Sequence, residues 1–228
     1  MKALRCLVVT VMLFLTACAS GPEGQKAPQG FVVLDRFIPG LALELRYHGS
    51  DNFVGRPIDG YEAPRCYLTR QAAEALKAVQ DTLSTLNLSL KVFDGYRPQR
   101  AVDHFARWAR DLADTAMKAS YYPTVQKQHL FRDGYIAARS GHSRGSAVDV
   151  TIVDSATGEA WDMGTSFDFF GPLSHTLCDR ITPDEQRRRL FLQGIMARHG
   201  FEGLAEEWWH FKLRDEPYPD TYFDFPLN

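Results

Sequence analysis

The chain has 228 residues, of which 45% are hydrophobic and 24% are charged, and its formal net charge is −2. This length and composition suit one globular domain with a substantial core, and they leave little room for a second full domain. Because no long basic run offsets the acidic residues, the composition argues against nucleic acid as a partner.

The N-terminus is predicted to be a processing segment rather than part of the fold. Lys2 and Arg5 give it a positive start, and residues 7–15 form an apolar run that is too short to span a bilayer comfortably. We therefore expect residues 1–17 to be a signal peptide that is removed from the mature protein.

Residues 15–18, Leu-Thr-Ala-Cys, resemble the lipobox of bacterial lipoproteins. The resemblance implies cleavage before Cys18 and lipidation of that residue, whereas the alternative is an ordinary signal peptide followed by a chance cysteine. Ala19 follows in place of an Asp, which by similarity to Gram-negative lipoproteins favours the outer membrane. We expect an exported protein at the periplasmic face that contacts the membrane only through its lipid anchor.

A tether and one folded domain are expected after the signal peptide. Residues 18–30 are rich in Gly, Pro and Gln and are predicted to be a flexible tether, so that the domain should span residues 31–228. The domain contains Cys66 and Cys178, and an exported compartment permits a disulfide between them. The sequence does not show whether their Cα atoms come close enough for that bond.

The first part of the domain is predicted to contain a strand, a helix and a second strand. Residues 41–47 alternate between apolar and polar, which indicates a half-buried strand. Thr69 can cap a helix whose apolar face is formed by Leu76, Val79, Leu83 and Leu86. Residues 88–93 then indicate a strand.

A second helix and a third strand are predicted in the middle of the domain. Pro98 marks the start of the helix, and apolar residues recur at helical spacing at Phe105, Trp108 and Leu112. Residues 147–153 are apolar and β-branched, which favours a strand.

The last predicted helix has a strong start signal. Thr182 can cap it, Pro183 occupies its first position and Glu185 lies three residues after the cap. This helix should end near Gly200, and residues 206–213 indicate a last strand. Since helices and strands mix without a βαβ rhythm, the sequence predicts one α+β domain with a central, mainly antiparallel sheet flanked by helices.

Three residues have the chemistry of a metal site. His142 and Asp149 flank a turn at Gly145, and His210 comes from a distant strand. Catalytic zinc typically takes three protein ligands and leaves one position open for water, and two imidazoles with one carboxylate fit that pattern. Each of these residues alone is more often structural than a ligand, so the prediction depends on the joint pattern.

A carboxylate near this set has the chemistry of a general base. Glu207 lies three residues before His210 and could take a proton from the attacking water and pass it to the leaving amine. Residues three apart on a regular strand face opposite sides, so the strand needs a bulge or bend for both side chains to reach one site.

Four segments together resemble a known enzyme family. Ser-x-His-x-x-Gly-x-Ala-x-Asp at residues 140–149 and Glu-x-x-His at residues 207–210 are similar to the pattern of zinc D-Ala-D-Ala peptidases. The form Glu-Trp-Trp-His, together with residues 94–98 (Asp-Gly-Tyr-Arg-Pro) and 162–168 (Asp-Met-Gly-Thr-Ser-Phe-Asp), resembles the D-Ala-D-Ala dipeptidases of the VanX type. The resemblance extends from about residue 31 to 214 and implies the zinc D,D-peptidase fold shared with Hedgehog-like domains.

The resemblance also implies roles for the matching residues. His142, Asp149 and His210 are the implied ligands of one zinc ion per chain. Glu207 is the implied general base and acid, and Arg97 is implied to stabilise the oxyanion of the tetrahedral intermediate. Taken alone, Arg97 would be interpreted as a surface salt-bridge residue.

Two further residues are implied to bind substrate. Asp168 is placed to face the substrate ammonium, and Ser140 is the second implied contact. Without the matched segment, Asp168 would be interpreted as a loop or capping residue. An anion in a small, dry pocket would discriminate against an acylated amine, as a dipeptidase must.

The implied activity is hydrolysis of D-alanyl-D-alanine to two D-alanines in the turnover of cell-wall dipeptide. One alternative is a D,D-carboxypeptidase that uses the same metal site to trim peptidoglycan stem peptides. The other is a non-catalytic zinc-binding module that recognises wall peptides. The expected partner is thus a small D,D-dipeptide, and the sequence does not predict an oligomeric state.

Overall fold

A computed structural model describes residues 27–228, so the predicted signal peptide and Cys18 lie outside the described residues. The strands of the described part are β1 (Phe31–Val33), β2 (Ala42–Leu43), β3 (Tyr67–Thr69), β4 (Leu88–Asp94), β5 (Ala147–Asp154), β6 (Phe201–Leu204) and β7 (Glu207–Leu213). Five of them form the main sheet in the order β2-β4-β5-β7-β6, and β1 pairs with β3 in a small second sheet.

Antiparallel pairing dominates the main sheet. Only β2 runs parallel to its neighbour β4, whereas β4–β5, β5–β7 and β6–β7 are antiparallel. The helices are α1 (Leu34–Phe37), α2 (Arg70–Ser84), α3 (Gln99–Arg110), α4 (Lys118–Tyr121) and α5 (Pro183–Arg198). The two long helices α2 and α5 contact each other and the strands of the sheet. This arrangement confirms the predicted α+β domain.

The starts of the predicted helices are confirmed, but two apolar residues that were assigned to these helices lie beyond their ends. The Thr69 hydroxyl accepts the Ala72 N–H, and a capping box joins Thr182 and Glu185 at the start of α5. Leu86, by contrast, lies beyond the end of α2 and is 52% exposed. Leu112 likewise follows the end of α3 and is exposed, because in both cases the helical spacing continues after the helix has ended.

The predicted strand over residues 41–47 is wrong for most of its length. Only Ala42–Leu43 pairs with β4, and the chain then enters a 3₁₀ turn at Arg46–His48. The side chain of Asn52 fixes this turn, since its amide nitrogen donates to the carbonyls of Arg46 and Gly49 at 3.3 and 2.8 Å. Tyr47 is thereby directed into the interior, where it is fully buried.

The two cysteines of the domain lie in different environments. Cys66 is buried beside the start of β3, where a Cβ on Gly95 would lie 2.5 Å from its Sγ. Cys178 is only half-buried in the segment before α5, where its N–H donates to the side chain of Gln186. Both are free thiols, so the structure does not contain the disulfide that the sequence permitted.

Part of the predicted tether falls within the described residues. The carbonyl of Gly30 accepts the Arg70 N–H at 2.7 Å, which joins the end of that segment to the first residue of α2. Among residues 27–228, no helix has the length and apolar character needed to cross a membrane.

Candidate active site

The pairing of strands in the main sheet aligns three polar residues, Asp94, Asp149 and His210, in one row. Asp149 on β5 pairs directly with His210 on β7. On the other side of β5, a register irregularity after Val92 places Asp94 of β4 opposite the same Asp149. Since directly paired residues point to the same face of a sheet, the three side chains meet on one surface.

His142 reaches this row from the 3₁₀ turn Gly141–Arg144. Ser140 caps the turn by accepting the His142 N–H at 3.2 Å, and Gly145 ends it with φ +80°. The imidazole Nδ1 lies 2.7 Å from the carbonyl of Gly95. Because a carbonyl only accepts hydrogen bonds, Nδ1 carries a proton, and Nε2 is the nitrogen that faces the row.

Three ligand atoms converge at this point. His142 Nε2 lies 3.0 Å from His210 Nδ1 and 3.3 Å from Asp149 Oδ1, and the latter two atoms are 3.0 Å apart. These are the three predicted metal ligands, and together they form a His/Asp/His group with the geometry to hold a metal ion. Electron-pair donors this close together repel one another unless a proton or a cation lies between them.

The close contacts within the cluster shift the pKa values of its members. Burial opposes ionisation of Asp149, but the neighbouring imidazoles outweigh it and hold the pKa of this carboxyl below its usual value. Burial likewise disfavours a charged His210, yet the hydrogen bond with Asp149 raises the pKa of that imidazole. Both shifts reflect one preference, namely positive charge beside the Asp149 carboxylate.

The bend required to bring Glu207 and His210 together is present. Along β6 and β7, Gly203 pairs with Phe211 while the next residue, Leu204, pairs with Glu207, so residues 208–210 bulge out of register. A Glu207 carboxylate oxygen therefore lies 4.0 Å from His210 Nδ1. Burial raises the pKa of Glu207, and His210 partly opposes that shift.

Arg97 lies against the same row. Its Nε donates to Asp94 Oδ2 at 3.0 Å, and its Nη2 lies 3.7 Å from Asp149 Oδ2. The guanidinium also sits 5.2 and 5.3 Å from the ring centroids of Tyr47 and Phe105. The side chain is 13% exposed, so Arg97 is an interior residue and the interpretation as a surface salt bridge is wrong.

Asp168 lies on the loop between β5 and α5 in a backbone conformation that is uncommon outside glycine, with φ +60°. It is buried, and Tyr47 donates a hydrogen bond from its hydroxyl to Oδ2 at 2.7 Å. Burial raises the pKa of Asp168 well above its usual value, although the Tyr47 hydrogen bond opposes the shift. No cationic side chain in the described part of the chain lies within ion-pair distance of it.

One cavity of about 230 Å³ connects these groups. Its wall contains all seven predicted site residues, which are Arg97, Ser140, His142, Asp149, Asp168, Glu207 and His210. Pockets for drug-sized ligands typically measure about 300–1,000 Å³, so this one suits a smaller molecule. The structure thus brings together every residue that the sequence singled out for metal, acid–base or substrate contact.

Two residues of the site were not assigned by sequence reasoning. Asp94 belongs to the matched segment at residues 94–98, but its place opposite Asp149 depends on the irregularity between β4 and β5. Tyr47 ended a segment interpreted as a strand, and its partner Asp168 lies 121 residues away. No local signal in the sequence identifies Tyr47.

Comparison with known proteins gives consistent matches. A family model described as Peptidase_M15, D-ala-D-ala dipeptidase, matches residues 27–228. The D-alanyl-D-alanine dipeptidase of Enterococcus faecium is 43% identical over 87% of this chain and 98% of its own. The enzyme of that name from Streptomyces coelicolor is 44% identical over 86% of this chain and 98% of its own. A solved structure of VanYB in complex with D-Alanine-D-Alanine is a distant likeness, with 15% identity, a TM-score of 0.40, and coverage of 65% and 72% of the two chains.

Proposed function

Since this chain belongs to the Peptidase_M15 family of D-Ala-D-Ala dipeptidases, we propose that it hydrolyses free D-alanyl-D-alanine to two molecules of D-alanine with one zinc ion per chain. One observation carries this proposal. A single small cavity combines a three-donor metal cluster, a carboxylate base, a guanidinium and a buried carboxylate without a cationic partner.

The donor cluster fits zinc. In a tetrahedral zinc site with bonds of about 2.0–2.1 Å, ligand atoms lie roughly 3.3 Å apart. The separations of 3.0–3.3 Å among His142, Asp149 and His210 are close to that value. A zinc ion bound there would polarise the scissile carbonyl and activate water for attack.

Glu207 would move the proton in this reaction. Its carboxylate lies beside the metal cluster on the cavity wall, within reach of a water molecule that attacks a bound peptide. Burial raises the pKa of Glu207, which makes its carboxylate a stronger base than an exposed glutamate. The same carboxyl group can then pass the proton to the leaving amine.

Arg97 would stabilise the developing negative charge. Attack on the peptide carbonyl places negative charge on its oxygen, and the buried guanidinium faces the cavity where that oxygen would lie. Removal of one such donor typically costs on the order of 10²–10³ in rate.

Asp168 would select dipeptides with a free amino group. A buried carboxylate without a cationic partner would be stabilised by the substrate ammonium, and an N-acylated substrate would supply no such charge. Ser140 adds a hydroxyl to the same wall as a second contact for the substrate.

The experiment compares zinc content and turnover in matched glutamine variants. Glu207→Gln should keep its zinc and lose turnover of D-alanyl-D-alanine, while Glu206→Gln, which alters the neighbouring exposed glutamate, should behave as the wild type. Full activity of Glu207→Gln would remove this residue from the mechanism. A wild-type protein that binds zinc but cleaves no D,D-dipeptide would instead be a binding module.

The choice of substrate distinguishes the remaining alternative. We expect the wild type to hydrolyse free D-alanyl-D-alanine and to cleave its N-acetylated form far more slowly. If the acetylated compound is the better substrate, the protein is a D,D-carboxypeptidase.

The proposal extends to location. The signal-like residues 1–17 and the lipobox-like residues 15–18 support export, lipidation of Cys18, anchoring at the periplasmic face and a role in turnover of wall-derived dipeptide. Wild-type protein expressed in a Gram-negative host should incorporate radiolabelled palmitate and sediment with membranes, and Cys18→Ser should do neither. Equal labelling of both forms would contradict the anchor.

A further inference from the structure

Asp94 is a buried acid to which neither the metal cluster nor the substrate contacts assign a role. It is the last residue of β4 and only 1% exposed. Its Oδ2 accepts the Arg97 Nε hydrogen, and its Oδ1 accepts a hydrogen bond from the Tyr61 hydroxyl at 2.8 Å. A fully buried carboxylate is costly unless it is paired and hydrogen-bonded, and both of its oxygens are satisfied here.

Two carboxylates compete for the Arg97 guanidinium. Asp94 forms a hydrogen bond with Nε at 3.0 Å, whereas Asp149 lies 3.7 Å from Nη2 and is outside normal hydrogen-bond distance. Asp149 Oδ1 is committed to the two imidazoles, but its Oδ2 remains able to attract Arg97. Without Asp94, Arg97 would be free to move onto this metal ligand.

The aromatic neighbours cannot fix Arg97 alone. Tyr47 and Phe105 flank the guanidinium, with their ring centroids 5.2 and 5.3 Å from Cζ, and attraction to a ring face leaves the guanidinium free to slide and rotate. A carboxylate at the Nε edge removes this freedom, because a charge-assisted hydrogen bond is directional.

We propose that Asp94 is a positioning residue for Arg97, which holds the guanidinium by its Nε edge so that the terminal nitrogens face the reacting carbonyl instead of pairing with Asp149. This inference rests on the proposed function, since it assumes that Arg97 acts on the transition state of peptide hydrolysis. The alternative is a purely structural role, in which Asp94 only compensates the charge of Arg97 and stabilises the fold.

A double-mutant cycle on the full-length protein separates these two roles. The variants are Asp94→Asn, Arg97→Ala and the double substitution, each measured for zinc content, thermal unfolding, and kcat and KM with D-alanyl-D-alanine. Asp94→Asn should lower kcat about 10–100-fold with KM changed less than about 3-fold, since misplacement of a catalytic group by about 1 Å can cost on the order of 10² in rate. In the Arg97→Ala background, Asp94→Asn should change kcat less than about 2-fold, because there is no guanidinium left to position.

Two comparisons make the test specific. Asp94→Glu keeps the negative charge of the pair but moves the carboxylate by one methylene, so positioning predicts a kcat loss of about 10-fold, whereas charge compensation alone predicts none. Asp81→Asn removes an exposed carboxylate that pairs with Lys77 on α2, and it should leave kcat unchanged.

The inference is overturned by any of three results. The first is an equal loss of kcat from Asp94→Asn in the presence and in the absence of Arg97. The second is a full kcat in Asp94→Glu. The third is a kcat of Asp94→Asn equal to that of the wild type. These outcomes differ from failure of the proposed function, in which the wild type itself would not hydrolyse the dipeptide.

Discussion

Gly145 connects the fold to the metal cluster, and its replacement by alanine should disturb both. The residue has φ +80°, and an added Cβ would lie 2.5 Å from Cζ of the Phe31 ring. Its N–H donates to the His142 carbonyl at 2.9 Å, and its own carbonyl accepts the Thr69 N–H at 2.7 Å. A shift of the Gly145 backbone away from Phe31 would therefore act on the turn that carries His142.

The cost of Gly145→Ala can be worked out from these two features. A left-handed conformation costs an alanine roughly 1–2 kcal/mol. Overpacking against the partly buried Phe31 ring typically adds about 1–3 kcal/mol. The expected loss in the free energy of unfolding is thus about 2–5 kcal/mol, the sum of the two contributions.

Gly158→Ala provides a matched control. Gly158 has φ +72° but nothing within 4 Å of an added Cβ, so only the backbone contribution of roughly 1–2 kcal/mol applies. Urea unfolding of the zinc-loaded proteins gives the stability difference, and competition with a chelator gives the zinc affinity. Gly145→Ala should lose more stability than Gly158→Ala and also bind zinc more weakly. Equal losses of stability, or an unchanged zinc affinity in Gly145→Ala, would refute the reasoning.

Three further predictions follow from the buried polar groups. Arg189 is fully buried and donates hydrogen bonds to the carbonyls of Met163, Leu173 and His175. Arg189→Met should therefore lower the free energy of unfolding by about 3 kcal/mol or more, and a loss under about 1 kcal/mol would contradict this prediction. Iodoacetamide should label Cys178 in the native protein but Cys66 only after unfolding, because burial covers Cys66 and raises the pKa of its thiol. Equal labelling rates of the two cysteines in peptide mass maps would contradict this prediction. Asp168→Asn should lower kcat/KM for free D-alanyl-D-alanine by roughly 30-fold or more without slowing cleavage of the N-acetylated form, and a parallel fall in both rates would argue against an ammonium contact.

Local chemical rules account for the parts of the fold that the sequence predicted well. The capping box of Thr182 and Glu185 depends only on residues within one turn, and α5 begins where it indicates. Residues 88–93 and 147–153 were predicted as strands from their apolar, β-branched character, and β4 and β5 span these residues.

Long-range contacts explain where prediction from the sequence failed. The alternation of residues 41–47 suits a strand, but the Asn52 side chain donates a hydrogen bond to the carbonyl of Arg46 and stabilises a turn there. β6 was not predicted, because a four-residue strand that contains Gly203 has little alternation of its own and depends on pairing with β7.

In the candidate site, too, features that depend on local sequence were predicted and features that depend on long-range contacts were not. The spacing of Glu207 and His210 required a bulge in the last strand, and the structure has that bulge. The sequence could not predict how Arg97 is held, because its contacts with Tyr47 and Asp149 span 50 or more residues of chain. Motif residues were thus identifiable, whereas the residues that orient them required the tertiary structure.

The central claim is that His142, Asp149 and His210 share one zinc ion, and X-ray absorption at the zinc edge tests it most directly. The purified protein should contain one zinc per chain, coordinated by two imidazoles and by oxygen at about 2.0–2.1 Å, with no sulfur ligand. His210→Ala should lose the metal while it keeps a cooperative unfolding transition, which shows that the fold is retained. A protein that binds no zinc, or one whose zinc has sulfur ligands at about 2.3 Å, would contradict the account.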